Sequence, residues 1–267
     1  MDREAFLKIL TPLDVHDTYR ELYFRNPAAF AVPVRSWEEF CGRYNELEGE
    51  GKTKLPPVPP TPIAPVFSEE EYFPQEDWGE VSVIVNARYC PAFLHELEFI
   101  KIIYVFRGSC FFYIDGRWIS MTEGNACIVA PGVEQTVFSC ADEDIVLNLL
   151  IRRSTFAESF WELLESNDGG VIADFFWKML LFNSRPDMLL EESVMDLYEE
   201  ALLQPVKSGL VMKSMMMAIF AYILRWKEKD VVWLRKKEKH REYPLAQYLL
   251  YMKEHIGEVS LASLAGI

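Results

Sequence analysis

The sequence predicts an α+β protein: a β-barrel or sandwich followed by a helical region. Three observations carry this. Between Val81 and Ile151, short apolar runs alternate with glycine-bearing turns. After Arg153 the apolar residues recur at spacings of three and four. A proline-rich stretch sets both regions apart from the first 54 residues.

The strand runs are Val81–Val85, Ile102–Phe106, Cys110–Ile114, Ala126–Val129 and Ile145–Leu150, all β-branched or aromatic in character. Arg107-Gly108, Asp115-Gly116, Glu123-Gly124-Asn125 and Pro131-Gly132 fall between them. Asp115-Gly116, ahead of Trp118-Ile119, is a hairpin signal, because a two-residue turn of this type needs positive φ at both positions. Many short strands at this spacing indicate a barrel or sandwich.

The helical region opens at Thr155, which forms a capping box with Glu158 ahead of Phe156 to Leu164. Val171 to Phe182 supplies a second helix. Leu190, Val194, Leu197 and Ala201 place one apolar stripe on Met188 to Leu203, which Pro205 ends. Leu210 to Trp226 is a further long helix, and the short break before it implies an antiparallel neighbour.

Upstream, Trp37, Phe40 and Tyr44 are spaced helically, but nothing in residues 1–54 points to chemistry. Pro56 to Pro65 holds six prolines in ten residues and reads as an extended spacer. Downstream, Arg235 to Arg241 is a short basic run, read as a solvated linker. Pro244 to His255 is helical, and Ser260 has the character of a further N-cap.

Composition narrows function. A net charge of −14 opposes broad contact with nucleic acid, which needs a clustered basic surface. Five cysteines, with no C-x-x-C pair, suit reduced buried thiols in a cytoplasmic protein rather than a disulfide or zinc framework. The charged start lacks the apolar run of a signal peptide, and no segment has the ~18 uncharged apolar residues of a membrane span.

His95-Glu96-Leu97-Glu98-Phe99-Ile100-Lys101, continued by Ile102 to Gly108, resembles the strand of the AraC family that carries H-x-H-x-F-x-E. Met121 to Gly132 resembles the second stretch of the cupin barrel, and Tyr251 to Ala265 is similar to the family's entry into its first helix-turn-helix. The resemblance implies a cupin-type β-barrel (jelly roll), then an α-helical dimerisation region and an incomplete helical DNA-binding domain. It divides the chain into a variable, partly helical segment (1–54), a proline-rich linker (55–66), a cupin-like sensor (67–153), a helical dimerisation region (154–230), a basic linker (231–243) and the start of a helix-turn-helix domain (244–267). The chain would stop inside the first supporting helix, so no residue is assigned to base reading.

What the resemblance implies for function is the sensing and dimerising part of a transcription regulator. Its partners would be a small-molecule effector in the barrel, a second copy of the chain, and DNA through a complete C-terminal domain. The ligand-binding candidates are His95, Lys101, Gln135, Phe93, Phe99, Phe111 and Trp118. The dimerisation candidates are Leu190, Val194, Leu197, Met212, Met216, Phe220 and Ile223.

Cupins include metal enzymes, but here Leu97 and Lys101 replace two of the strand's ligands and Gln135 stands where a later histidine would follow. One imidazole does not cage a divalent ion, and an ammonium beside it repels one. No cofactor, metal or catalytic residue is therefore expected, and no G-x-S-x-G, H-E-x-x-H or phosphate-cradling loop occurs. Two readings stay open: a small-molecule sensor, or a barrel serving as a protein-interaction scaffold. A cavity reaching His95, Lys101 and Gln135 would favour the sensor; a barrel plugged by Phe93, Phe99, Phe111 and Trp118 would favour the scaffold. Lys101 itself has two readings. It snorkels to the barrel mouth, or it joins His95 and Gln135 in recognising an anionic group.

Overall fold

In the computed structural model of the chain, Asp115 and Gly116 have φ of 48° and 77°, the two positive values a tight hairpin turn demands. They join β5 (Ser109–Ile114) to β6 (Arg117–Thr122) in an antiparallel pair. The structure describes residues 2–10, 17–48, 55–73, 80–156, 180–182, 188–203, 207–227 and 231–233. The chain divides into two units, Met1–Arg235 and Lys236–Ile267, and every described residue lies in the first. The expected helices at 157–164 and 244–255, the basic run from Arg235 and the cap at Ser260 lie outside the described residues.

The remaining strands are β1 (Val66–Phe67), β2 (Val81–Val85), β3 (Glu96–Leu97), β4 (Ile100–Arg107), β7 (Ala126–Val129), β8 (Gln135–Phe138), β9 (Ile145–Ile151), β10 (Leu180–Phe182) and β11 (Val231–Trp233). They form a six-stranded sheet in the order β11-β10-β7-β4-β9-β2, a three-stranded sheet β6-β5-β8 and a short parallel pair β1-β3. Two expectations are corrected here. Leu180–Phe182, expected in a helix, pairs with β7, and Val231–Trp233, expected in a linker, pairs with β10. Their apolar, partly β-branched runs suit a sheet edge, and tertiary pairing overrides the local pattern.

The central strands β7, β4 and β9 are buried on both faces. One face, with Ile103, Val105, Cys127 and Val146, meets Cys110, Phe112 and Ile114 of β5 inside the barrel. The other, with Ile102, Tyr104, Ile128, Leu147 and Leu149, is covered by helices. This is why β4 and β9 read as continuous apolar runs with no alternation: both sides need apolar groups.

The covering helices are α1 (Arg3–Leu10), α6 (Met188–Leu203) and α7 (Ser208–Lys227). Leu190, Val194 and Leu197 of α6, and Met212, Met216 and Phe220 of α7, are all buried against the sheet. The expected dimerisation set is therefore corrected: six of its seven residues form intramolecular core, and the side chain of Ile223 lies outside the described residues. The apolar stripe identified a buried face correctly, but periodicity does not say which partner covers it.

Four further elements precede the barrel: α2 (Asp17–Arg25), α3 (Pro27–Phe30), α4 (Trp37–Glu48) and, after the prolines, α5 (Glu69–Tyr72). Ser36 Oγ accepts from Glu39 N at the start of α4, and Ser68 with Glu71 forms a capping box on α5. Trp37, Phe40 and Tyr44 pack with Phe30, Tyr89, Phe93 and Phe138, an aromatic layer that fixes these helices on the barrel. Arg20 grips Asp142 through two hydrogen bonds of 2.7 Å, and Tyr89 donates to the same carboxylate at 2.6 Å.

The proline-rich stretch is not a free spacer, which corrects that expectation. Leu55 and Ile63 pack into the aromatic layer, Ala64 packs beside Phe67, and Tyr19 Oη donates to Val58 O at 2.8 Å. Prolines give up their backbone donors, so the segment holds its place through side-chain packing and its carbonyls. Glycine is required at 108, where φ is +74° and a Cβ would collide with the Asp144 carboxylate. That carboxylate accepts from the amides of Ser109, Cys140 and Ala141, tying the start of β5 to the turn before β9.

Candidate ligand-binding site

Alternation along β3 and β4 sends His95, Leu97, Phe99 and Lys101 to one side, and all four line a cavity of about 260 Å³. Its far walls come from Ile84 and Val85 of β2, Val137 of β8, and Asn148 and Leu150 of β9. Thr61, Pro62, Phe67 and Tyr72 close it from the segment around β1 and α5. Leu150 is register partner to Lys101, and Asn148 lies two residues along the same strand face.

One hydrogen-bonded chain orders the polar end. Lys101 Nζ donates to Gln135 Oε1 at 2.8 Å. Gln135 Nε2 lies 2.7 Å from His95 Nε2, and His95 Nδ1 lies 2.9 Å from Phe93 O. A carbonyl only accepts, so Nδ1 carries the proton and Nε2 accepts from Gln135. Lysine only donates, so Gln135 presents its oxygen to Lys101 and its nitrogen to His95. Each partner thus fixes the orientation of the next.

Gln135 is fully buried and opens β8, while the backbones of His95 and Gln135 form an isolated antiparallel bridge. That bridge holds the relay in register.

Lys101 is only 5% exposed, so the snorkelling reading is corrected: the ammonium stays inside. Burial pulls its pKa from 10.5 down to about 7, opposed by Cys127 and Cys110. Among the described residues no carboxylate lines the cavity, and Gln135 is the single hydrogen-bond partner of the ammonium. Burial, then the charge of Lys101, hold His95 down to about 3, so its ring is neutral at physiological pH.

The Nε2 lone pair of His95 is engaged by Gln135, which leaves the ring no free nitrogen to ligate a metal ion. Among the described residues no group of three or more His, Cys, Asp or Glu side chains is placed to hold an ion.

Phe93 and Phe99 line the cavity. Phe111 and Trp118 do not, which corrects those two assignments. Phe111 is 40% exposed on β5, and Trp118 turns outward to donate from Nε1 to Ala31 O. Both sit on strands whose alternate residues face away from the barrel.

Asn148 is a site residue that sequence reasoning missed. It lines the cavity, and its Oδ1 is buried with no hydrogen-bond partner among the described residues. Its Nδ2 faces Asn86 Oδ1 at 3.4 Å, while Asn86 Nδ2 donates to Ala87 O, which fixes both amides in orientation. The signal was present: Asn148 is the one polar residue in Ile145–Ile151.

The cupin-type barrel thus holds a small cavity with a few convergent polar groups, the usual character of a small-molecule pocket. Residues 90–210 match the family model described as AraC-like ligand binding domain. No curated protein matches the chain. Among solved structures, wild-type ToxT from Vibrio cholerae, bound to an unsaturated fatty acid, is 14% identical over 70% of this chain and 67% of that one, with a TM-score of 0.38. The AraC-like transcriptional activator CuxR is 13% identical over 70% and 65%, with a TM-score of 0.39. KdgF from Halomonas sp. is 17% identical over 28% and 64%, with a TM-score of 0.22.

Proposed function

We propose that the chain is the effector-sensing part of a DNA-binding transcription regulator, non-catalytic, with a small molecule bound in the barrel cavity. The observation that carries this is Lys101, a buried ammonium facing a cavity that supplies no counter-charge among the described residues. Keeping such a group out of water without an opposite charge is costly, so a site that retains it is built to be completed. The scaffold reading loses ground for the same reason: the barrel is not plugged where His95 and Lys101 stand.

The sheet also supplies a route outward. On β4, Lys101 faces the cavity while its neighbours Ile100 and Ile102 pack toward α6 and α7. On β9, Leu150 faces the cavity while Leu149 and Ile151 face the helices. Occupancy of the cavity therefore acts on the helical layer through one strand thickness. In the proposed regulator, that layer adjusts dimer geometry or the position of a complete C-terminal DNA-binding domain. Outward residues such as Leu203 of α6 and Leu210 of α7, 69% and 66% exposed, replace the buried set as candidates for self-association. A cytoplasmic setting agrees with the five free cysteines, and no helix among the described residues is long and apolar enough to cross a membrane.

The test is a thermal-shift screen of neutral and charged small molecules on the chain and on Ala64→Phe, which fills the void from its wall. Compounds that stabilise the chain are expected to lose their effect in the folded variant. Stabilisation that persists unchanged would place the ligand elsewhere.

A further inference from the structure

We propose that the cavity takes a small hydroxy-carboxylic acid, its carboxylate on Lys101 and its hydroxyl donating to Asn148 Oδ1. This rests on the reading of the cavity as an effector site and narrows it to a chemical class.

Two polar groups in the cavity wall are incomplete, and they are opposite in kind. Lys101 offers donors: one N–H goes to Gln135 Oε1, and the others have no partner among the described residues. Asn148 Oδ1 is a buried acceptor with none at all. Both residues are 5% exposed and both line the same cavity. Lys101 pairs with Leu150 across the sheet, so Asn148 is its diagonal neighbour on that face, with backbones about 7–8 Å apart. A ligand that satisfies both must carry an anionic acceptor at one end and a donor a few bonds away.

The rest of the wall limits the choice. With no carboxylate lining the cavity among the described residues, an amino group as the donor would bring a second cation beside Lys101 with no described group to balance it. A hydroxyl donates without charge. A phosphate would carry more negative charge than one ammonium neutralises, in a wall where Lys101 is the one charged side chain among the described lining residues. A plain alkyl acid would satisfy Lys101 but leave Asn148 Oδ1 buried under hydrocarbon, and a diol would do the reverse. At about 260 Å³ the cavity is below the usual ~300–1,000 Å³ of ligand pockets, which calls for a short molecule.

The experiment uses the full chain and five probes: hexanoate, its 2-, 3- and 4-hydroxy derivatives, and hexane-1,3-diol. Dissociation constants are measured at pH 6.5 for the wild type, Lys101→Met and Asn148→Leu, with circular dichroism confirming the fold of each. At least one hydroxy acid is expected to bind about tenfold or more tightly than hexanoate. Asn148→Leu should erase that advantage while keeping hexanoate binding, and Lys101→Met should weaken every acid. Equal affinity for hexanoate and all three hydroxy acids would overturn the role of Asn148. Failure of every acid to bind would overturn the inference. Binding of the diol alone would also overturn it, yet would leave the cavity standing as a site for neutral effectors.

Discussion

Lys101 Nζ lies 2.8 Å from Gln135 Oε1, and that single contact fixes the polarity of the whole relay through His95 to the carbonyl of Phe93. The ammonium has a hydrogen-bond acceptor but no opposite charge, which makes its protonation the most responsive property of the site.

The first consequence concerns stability against pH. Lys101 has a pKa of about 7 in the folded chain and an ordinary value of 10.5 when unfolded. Between these values the unfolded chain holds a proton that the folded chain has released, so stability rises with pH there. The slope approaches 1.4 kcal/mol per pH unit. Buried Cys90 and Cys110, raised from 9.0 to about 12, act in the opposite sense above pH ~9, so the clean window is pH 7 to 8.5. Denaturant melts of wild type and Lys101→Met across that window should differ by this slope. Parallel curves would show that Lys101 is not held in a low-pKa environment.

Gln135→Leu removes the hinge of the relay, leaving the ammonium without an acceptor and His95 Nε2 without a donor. A loss of about 2–4 kcal/mol is expected in urea unfolding. The neighbouring substitution His95→Leu should instead reduce sensitivity to acid. His95 titrates near 3 when folded and 6.5 when unfolded, so its contribution to stability falls as pH drops from 6.5 toward 3. An unchanged acid limb in His95→Leu would contradict a neutral, buried ring.

The helical layer separates packing from association. Leu197 and Met216 are fully buried on the sheet, so replacing either by alanine should cost about 2–5 kcal/mol. Leu203→Glu and Leu210→Glu alter exposed positions and should stay within about 0.5 kcal/mol of wild type in stability. If the helices pair two copies, sedimentation should show these two variants dissociated and still folded. A wild-type chain that is monomeric at high concentration would remove the helices as an interface.

Much of this arrangement was legible in the sequence, and the misses have physical causes. Strand runs and turns were readable because Asp115-Gly116 and Gly108 leave few other conformations. His95, Lys101 and Gln135 were readable as a group because alternation aims the first two inward and the motif places the third opposite. Phe111 and Trp118 were misassigned because an aromatic residue on a short strand carries no mark of which face it occupies. The stripe on α6 and α7 marked a buried face, yet intramolecular and intermolecular burial use the same residues. The wall built by Thr61 and Pro62 was illegible, since proline-rich chain packs by tertiary fit and follows no periodicity.

The most direct test of Lys101 as the anchor is calorimetric titration of 3-hydroxyhexanoate at pH 8 in two buffers of different ionisation enthalpy. The titratable groups around the ammonium are His95 before β3, Tyr72 on α5, Cys90, Cys110 on β5 and Cys127 on β7; none is a carboxylate. With a pKa of about 7, Lys101 is mostly neutral in the empty site at that pH, and a bound carboxylate restores its charge. Binding should therefore take up a large fraction of a proton per ligand, read from the difference in heat between buffers. Lys101→Met should show weaker binding and no uptake. Binding of undiminished affinity in that variant, or heat independent of buffer in the wild type, would contradict the account.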